Sequence, residues 1–343
     1  MKTVGAGGRC DTIPLVRIGS YPERVKREFI RTARVSACIV VHIPHQLDYH
    51  AHRLDVLRLC LASLAAHTPR DRYDLLVLDN GSCAATVDYL RGLRDRGAID
   101  HLILSAQNIG KINGCRMLFD AAPGDVVAYA DDDVFFSPGW LEAQLAILDT
   151  FPRVGMVSGR PVRKQFGYGN AYLPGYLAEF PEITSQTGRL IPNEWEREFR
   201  GSVGRLQDDG AAAPNQDVLL EYRGLKAYST ATHFQFIAPK AVILDAIRRV
   251  QLPRVVGEER QFEEAIDAAG YARLSTAGRY VRHIGNVINR ELRDEIGETL
   301  PEMATVDGWR PSPRAWVRLM KWRPLRALLA RVNRWTYLAL HHP

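Results

Sequence analysis

Between Val35 and Ala130 four apolar runs alternate with three stretches of helical periodicity, and this repeat restricts the fold more than any other feature of the chain. Val35 to Ile43 (VSACIVVHI) is a continuous apolar run stopped by Pro44, the pattern of a buried strand. Leu54, Leu57, Leu59, Leu61, Leu64 and Ala65 then recur at roughly helical spacing as far as Thr68-Pro69. Tyr73 to Leu78 forms a second strand that runs into Asp79-Asn80-Gly81-Ser82, followed by a helix over Ala84 to Arg94 and a third strand over His101 to Leu104. Asn108-Ile109-Gly110-Lys111 starts another helix that reaches Ala121, and Val126 to Ala130 is a fourth strand. A strand–helix repeat of this kind predicts an α/β fold with a Rossmann-like, mostly parallel central sheet flanked by helices.

In such sheets small molecules bind outside the carboxyl ends of the strands. Pro44, Asp79, Asn108, Gly110, Lys111, Asp131, Asp132 and Asp133 all fall at those ends. The last three are consecutive carboxylates. They repel one another unless something cationic offsets them, and Mg²⁺ or Mn²⁺ suits carboxylates that share an ion with phosphate oxygens. The other reading of the triplet is a solvated acidic turn ahead of the helix opened by Trp140-Leu141. Further along, Ala231 to Ile237 reads as a strand and Pro239 to Arg249 as a helix, with His233 and Gln235 as polar positions on that strand. Gly159 to Ala227, broken by Pro161, Pro174, Pro181, Pro192 and Pro214, shows little periodicity.

The order LVLDNGS, NIGK, ADDDVFFSPGWL after a strand ending in Ile-Pro is similar to that of the family-2 glycosyltransferases of the GT-A fold, over Val35 to Leu141. A downstream segment, Gly257-Glu258-Glu259-Arg260-Gln261-Phe262, then Gly270-Tyr271, then His283-Ile284-Gly285, resembles the family's G-E-D-x-x-F, A-G-Y and H-x-G. Glutamate stands at 259 where the family has aspartate, and Gln261 replaces a frequent acidic position. The resemblance implies an inverting, metal-dependent glycosyltransferase using a nucleotide-sugar donor, UDP-linked by family frequency, and a saccharide or lipid-linked acceptor, as in cell-envelope polysaccharide assembly. It implies that Asp79 reads the base, that Asp131 and Asp132 with Pro44, Asn108, Gly110 and Lys111 surround the donor, and that Asp133, Asp131 and His283 hold Mn²⁺ or Mg²⁺. Glu259, with Glu258 beside it, stands where the family has its general base. Gly159 to Ala227 corresponds to the region that shapes the acceptor pocket.

A nucleotidyltransferase that makes sugar nucleotides also pairs an α/β sheet with metal-binding aspartates. It needs a glycine-rich loop after the first strand, where this chain has Val41-His42-Ile43-Pro44-His45. A catalytically inactive, membrane-associated scaffold of the same fold is opposed by the intact triplet and Glu259. The divisions expected are an N-terminal extension (1–34), a nucleotide-sugar half (35–158), an acceptor and catalytic-base half (159–290), and a basic amphipathic helical tail (291–343). Five cysteines, Cys10, Cys38, Cys60, Cys83 and Cys115, form no metal-site or CxxC spacing and fit reduced thiols. With no long apolar segment near the N-terminus and no run of about 18 apolar residues, the expected location is cytoplasmic, at the inner face of the plasma membrane if the tail binds lipid.

The tail carries the positive charge. From Trp309 onward there are eight basic residues and no acidic one, more than the net +6 of the whole chain. Charge confined to one end argues against a nucleic-acid-binding face on the folded body. Four of the six tryptophans are there, and Leu325, Leu328, Leu329, Val332, Trp335 and Leu338 recur at spacings of three and four. A basic, tryptophan-rich amphipathic helix lies in an anionic bilayer surface. Full-length protein is therefore expected to co-sediment with anionic vesicles and to lose this at high salt or on deletion of residues 309–343. A full-length protein that ignores vesicles, together with a deletion that unfolds it, identifies the tail as a packed structural helix instead.

Overall fold

The computed structural model describes residues 32–163, 171–204, 216–251 and 258–296. The chain divides into two units, Met1–Leu300 and Pro301–Pro343. The second unit, and with it the amphipathic tail beyond Ile296, lies outside the described residues, as do residues 1–31 of the N-terminal extension.

Each expected strand of the repeat is present: β1 (Val35–Val41), α1 (Arg53–Ala66), β2 (Tyr73–Asn80), α2 (Ala84–Asp95), β3 (His101–Ser105), α3 (Lys111–Ala121) and β4 (Val126–Asp131). There follow β5 (Val134–Phe136), α4 (Trp140–Thr150), β6 (Val154–Ser158), α5 (Leu173–Glu179), β7 (Thr184–Gly188), α6 (Asn193–Ser202), β8 (Asp217–Tyr222) and β9 (Leu225–Tyr228). The described chain ends with β10 (Gln235–Pro239), α7 (Lys240–Arg248), α8 (Glu258–Ala268), β11 (Ala272–Thr276), β12 (Val281–His283) and α9 (Arg290–Ile296).

Ten strands form one sheet in the order β3-β2-β1-β4-β10-β6-β11-β9-β8-β7, and β12 pairs with β5 in a small second sheet. In the large sheet β1, β2, β3, β4, β6, β8 and β11 run one way, while β7, β9 and β10 run the other. The sheet is thus mixed and mostly parallel. Period-two alternation sorts the strand side chains between two cores. Val35, Ala37, Ile39 and Val41 of β1 join Leu57, Leu61 and Leu64 of α1 and Trp140 of α4 on one face. Cys38 and Val40 join Ile112 and Leu118 of α3, Ile243 and Ile247 of α7, and Phe262 and Ile266 of α8 on the other. Among the described residues no helix is long and apolar enough to cross a membrane.

Two readings of the sequence change. The strand expected over Ala231 to Ile237 starts at Gln235, because pairing with β4 begins there, opposite Ala130. Upstream, Ala231 to Phe234 form the approach to the strand, and the Phe234 carbonyl accepts a hydrogen bond from the Asp131 amide at 2.8 Å. Gly159 to Ala227, which lacks periodicity, nevertheless holds α5, β7, α6, β8 and β9. The β8–β9 hairpin turns at Arg223-Gly224, both with positive φ, the two-residue geometry that matches strand twist.

The turn after β2 is fixed by a close backbone approach. Gly81 has φ +75°, and a Cβ there would lie 2.7 Å from the Gln107 carbonyl carbon and 2.8 Å from the Asn108 nitrogen. Gly97 has nearly the same φ, +74°, with nothing nearby. Gly97→Ala is therefore expected to cost about 1 kcal/mol, the left-handed backbone penalty alone, and Gly81→Ala roughly 2–4 kcal/mol, since two backbone segments must separate. Urea unfolding of the two variants measures the difference; equal losses would show that the approach at Gly81 carries no strain.

Candidate active site

The carboxyl ends of β1, β2 and β4 lie level, because Val41 pairs with Asp79 and Val40 with Asp131. Beyond β1 the chain is clipped to the end of β2. The Ile43 amide donates to Ser82 Oγ at 2.9 Å, the Cys83 amide donates to the Ile43 carbonyl at 2.8 Å, and His42 Nδ1 donates to the Asn80 carbonyl at 2.8 Å. Pro44 follows at once, half-buried. Asp79 is 1% exposed. Its Oδ2 accepts from the Ser82 amide at 3.2 Å, and its buried Oδ1 has no protein partner. Asn108 is a loop clip: its Oδ1 accepts from Asn80 Nδ2 at 3.0 Å and from the Gly110 amide at 2.8 Å, setting up the first turn of α3.

That turn delivers Lys111 to Asp131. Lys111 Nζ lies 2.7 Å from one carboxylate oxygen and 3.0 Å from the other, and the Tyr129 hydroxyl donates to Asp131 Oδ1 at 2.6 Å. Burial pushes the Asp131 carboxyl up, but the Lys111 charge and the two donors outweigh it and hold the group below its ordinary value. Burial likewise opposes the Lys111 charge, and Asp131 overrides it and raises the ammonium's pKa. Glu259 Oε1, from the first turn of α8, lies 3.9 Å from the same Nζ. Glu258 opens α8, and its side chain lies outside the described residues.

The other two carboxylates have a different cation. Arg53, at the start of α1, donates through Nη2 to Asp132 Oδ1, through Nη1 to Asp133 Oδ2 at 2.8 Å, and through Nη1 to the Gly285 carbonyl at 3.2 Å. Asp132 and Asp133 are 6% and 8% exposed. Burial and the two neighbouring aspartates raise the Asp132 carboxyl to about 6 despite Arg53. Asp132 Oδ2 and Asp133 Oδ1 are buried without a protein partner.

His283 reaches this group because β12 runs antiparallel to β5, with His283 opposite Val134 and the Ile284 amide donating to the Asp133 carbonyl at 2.7 Å. Its Nε2 lies 3.6 Å from Asp133 Oδ2, and its Nδ1 lies 3.0 Å from Ser202 Oγ. Asp133 and His283 line a cavity of about 1120 Å³ together with Tyr49, Glu194, Glu198 and Asn286. The expected metal trio is therefore divided: Asp133 and His283 are together, while Asp131 faces Lys111. Among the described residues no three His, Cys, Asp or Glu side chains gather at a metal-holding distance. Asp133 and His283 fit a divalent ion that takes its remaining ligands from a phosphate-bearing molecule and water, since one Asp133 oxygen is unspent and a histidine nitrogen faces the other.

Two features have no local signature in the sequence. One is Arg53. The other is a buried ion network behind the site. Glu263 lies one helical turn after Glu259 on the same face of α8. Its Oε1 is 3.2 Å from His233 Nδ1, and its Oε2 accepts from Arg273 Nη1 at 2.8 Å. Arg273 also makes two hydrogen bonds to Asp267, at 2.7 and 2.8 Å. His233 is thus a half-exposed side chain held from behind. Gln235 is fully buried, bonded to Gln144 and to the Gly159 amide, and belongs to the scaffold.

Among known proteins, the sequence model of the family described as Glycosyl transferase family 2 matches residues 49–202. No curated protein sequence matches the chain. Among solved structures, S. aureus TarS 1–349 is similar at 13% identity and a TM-score of 0.41, over 72% of this chain and 59% of that one. A mannosyltransferase from Pyrobaculum calidifontis, PcManGT, solved with GDP-Man and Mn²⁺, is similar at 21% identity and a TM-score of 0.29, over 38% of this chain and 36% of that one. The chain thus spans less than two thirds of the length of either.

The network behind His233 makes a stability prediction. The side chains of Glu263 and Arg273 are 3% and 0% exposed. Glu263→Gln leaves a buried guanidinium short of one counter-charge and is expected to cost about 3 kcal/mol. A loss below about 1 kcal/mol in urea unfolding would mean that the remaining partners of Arg273, Asp267 among them, satisfy it.

Proposed function

We propose, from the match of residues 49–202 to the model of glycosyl transferase family 2 and the α/β, GT-A-type fold, that this protein is an inverting glycosyltransferase using a nucleoside-diphosphate sugar, UDP-linked. The observation that carries the reading is the convergence on one sheet edge of Asp79, the Asp131–Asp133 triplet and Glu259, from β2, β4 and α8. The unspent Oδ1 of Asp79 suits a nucleobase N–H. Asp131, held ionised by Lys111, suits ribose hydroxyls, and Asp132 completes the donor side. A divalent ion, Mn²⁺ or Mg²⁺, held by Asp133 and His283, would place positive charge against the departing diphosphate.

The acceptor hydroxyl attacks the anomeric carbon as the bond to the diphosphate oxygen breaks, in line, so the centre inverts. Glu259 takes the hydroxyl proton as attack proceeds. Its neighbour Lys111, 3.9 Å away, keeps it close to the donor. The cavity beside His283 accommodates the saccharide or lipid-linked acceptor, as in cell-envelope polysaccharide or other glycoconjugate assembly.

Release of nucleoside diphosphate from UDP-, GDP- and dTDP-sugars, with and without saccharide acceptors, tests the reading. Turnover should stop in excess EDTA and in Asp133→Ala. Glu259→Gln should keep nucleotide binding and lower kcat by roughly 10²-fold or more. Preference for an adenine nucleotide counts against the whole reading, full transfer in EDTA against the metal, and an effect of Glu258→Gln in place of Glu259→Gln against the choice of base.

A further inference from the structure

The acidic triplet already has cations in this chain. Lys111 holds Asp131, and the Arg53 guanidinium bridges Asp132 and Asp133. Three carboxylates against two cations leave one negative charge in a place where Asp132, Asp133 and Arg53 are each less than a tenth exposed. Arg53 does not use up the triplet: Asp132 Oδ2 and Asp133 Oδ1 are buried and unpartnered, and Asp133 lines the cavity. An ion reaching Asp133 would therefore find one oxygen open, the other held by a guanidinium, and a like charge within a few ångström. The same guanidinium is tied to the Gly285 carbonyl, two residues past His283, so the two metal-holding segments and the start of α1 meet at one side chain.

We infer that Arg53 is the resident counter-cation of the triplet and makes metal binding conditional on nucleotide: the divalent ion enters together with a nucleoside diphosphate and not ahead of it. The inference rests on the metal role proposed above. A divalent ion alone would turn the net charge of a buried group of side chains positive against Arg53. A diphosphate arriving with it brings enough negative charge to compensate and supplies the oxygen ligands that the protein lacks. Arg53 acts through the carboxylates and the ion, as a positioning residue.

The test is the affinity for Mn²⁺, read from the free-ion electron paramagnetic resonance signal, of wild type, Arg53→Gln, Arg53→Lys and Asp133→Asn, each alone and with UDP, GDP or dTDP. Wild type should bind Mn²⁺ weakly alone and on the order of tenfold or more tightly with its preferred diphosphate. Arg53→Gln removes the like charge and should bind Mn²⁺ alone about tenfold or more tightly than wild type, so that the diphosphate effect shrinks. Arg53→Lys keeps the charge and should stay closer to wild type. A folded Arg53→Gln with unchanged or weaker Mn²⁺ affinity overturns the inference while Asp133→Asn still reports the metal site. Should Arg53→Gln not fold, wild type decides: Mn²⁺ held equally well with and without diphosphate overturns the inference. No Mn²⁺ binding with any diphosphate removes the metal role, and this inference with it.

Discussion

Three consecutive carboxylates cannot sit at the end of a buried strand unless the fold brings cations to them. Removing such charges from water costs several kcal/mol each unless they are paired. The two cations come from different places: Arg53 from the start of α1, nearly eighty residues before its partners, and Lys111 from the start of α3. The helices after β1 and β3 must therefore begin where they do. The loops that set those starts, Ile43 clipped to Ser82 and Asn108 clipped to Asn80 and Gly110, serve the same end.

Two reversals of chain direction complete the edge. Since β10 runs against β4, its beginning lies at the carboxyl ends of the parallel strands, and His233 arrives there. Since β12 runs against β5, its last residue does the same for His283. A purely parallel sheet would place the starts of its strands at the opposite edge. His233 and His283 thus depend on a topology that differs from that of the parallel strands β1 to β4.

The parallel half was legible because β1, β2 and β4 are buried on both faces and read as continuous apolar runs, the short edge strand β3 keeps an apolar centre, and the helices between them carry apolar residues at helical spacing. The candidate residues at strand ends followed from order alone, so Asp79, Lys111 and Asp131 were found as a set. Residues 159–227 were not legible. In α6 the buried side chain is Glu196, which accepts from the Arg163 amide, and β7 is a polar edge strand, so neither shows the expected apolar pattern. Arg53 escaped for another reason: an ion pair between residues 80 positions apart has no signature at either end. The division of Asp131 from Asp133 and His283 was hidden for the same reason, since it depends on which cation each carboxylate meets.

The pairing of β4 with β10 has a consequence for synthesis. Its first ladder partners, Ala130 and Gln235, lie some hundred residues apart, and His283 is farther still from Asp133. The pairs β1–β2 and β2–β3 join nearer neighbours. Long-range pairings form late, and chains extend from the ribosome in order. A nascent chain that has formed β1 to β4 keeps the free edge of β4 unpaired until β10 has emerged, and Asp133 without His283 for longer still. Truncation between β4 and β10 leaves an open strand edge, which is a template for association with other chains.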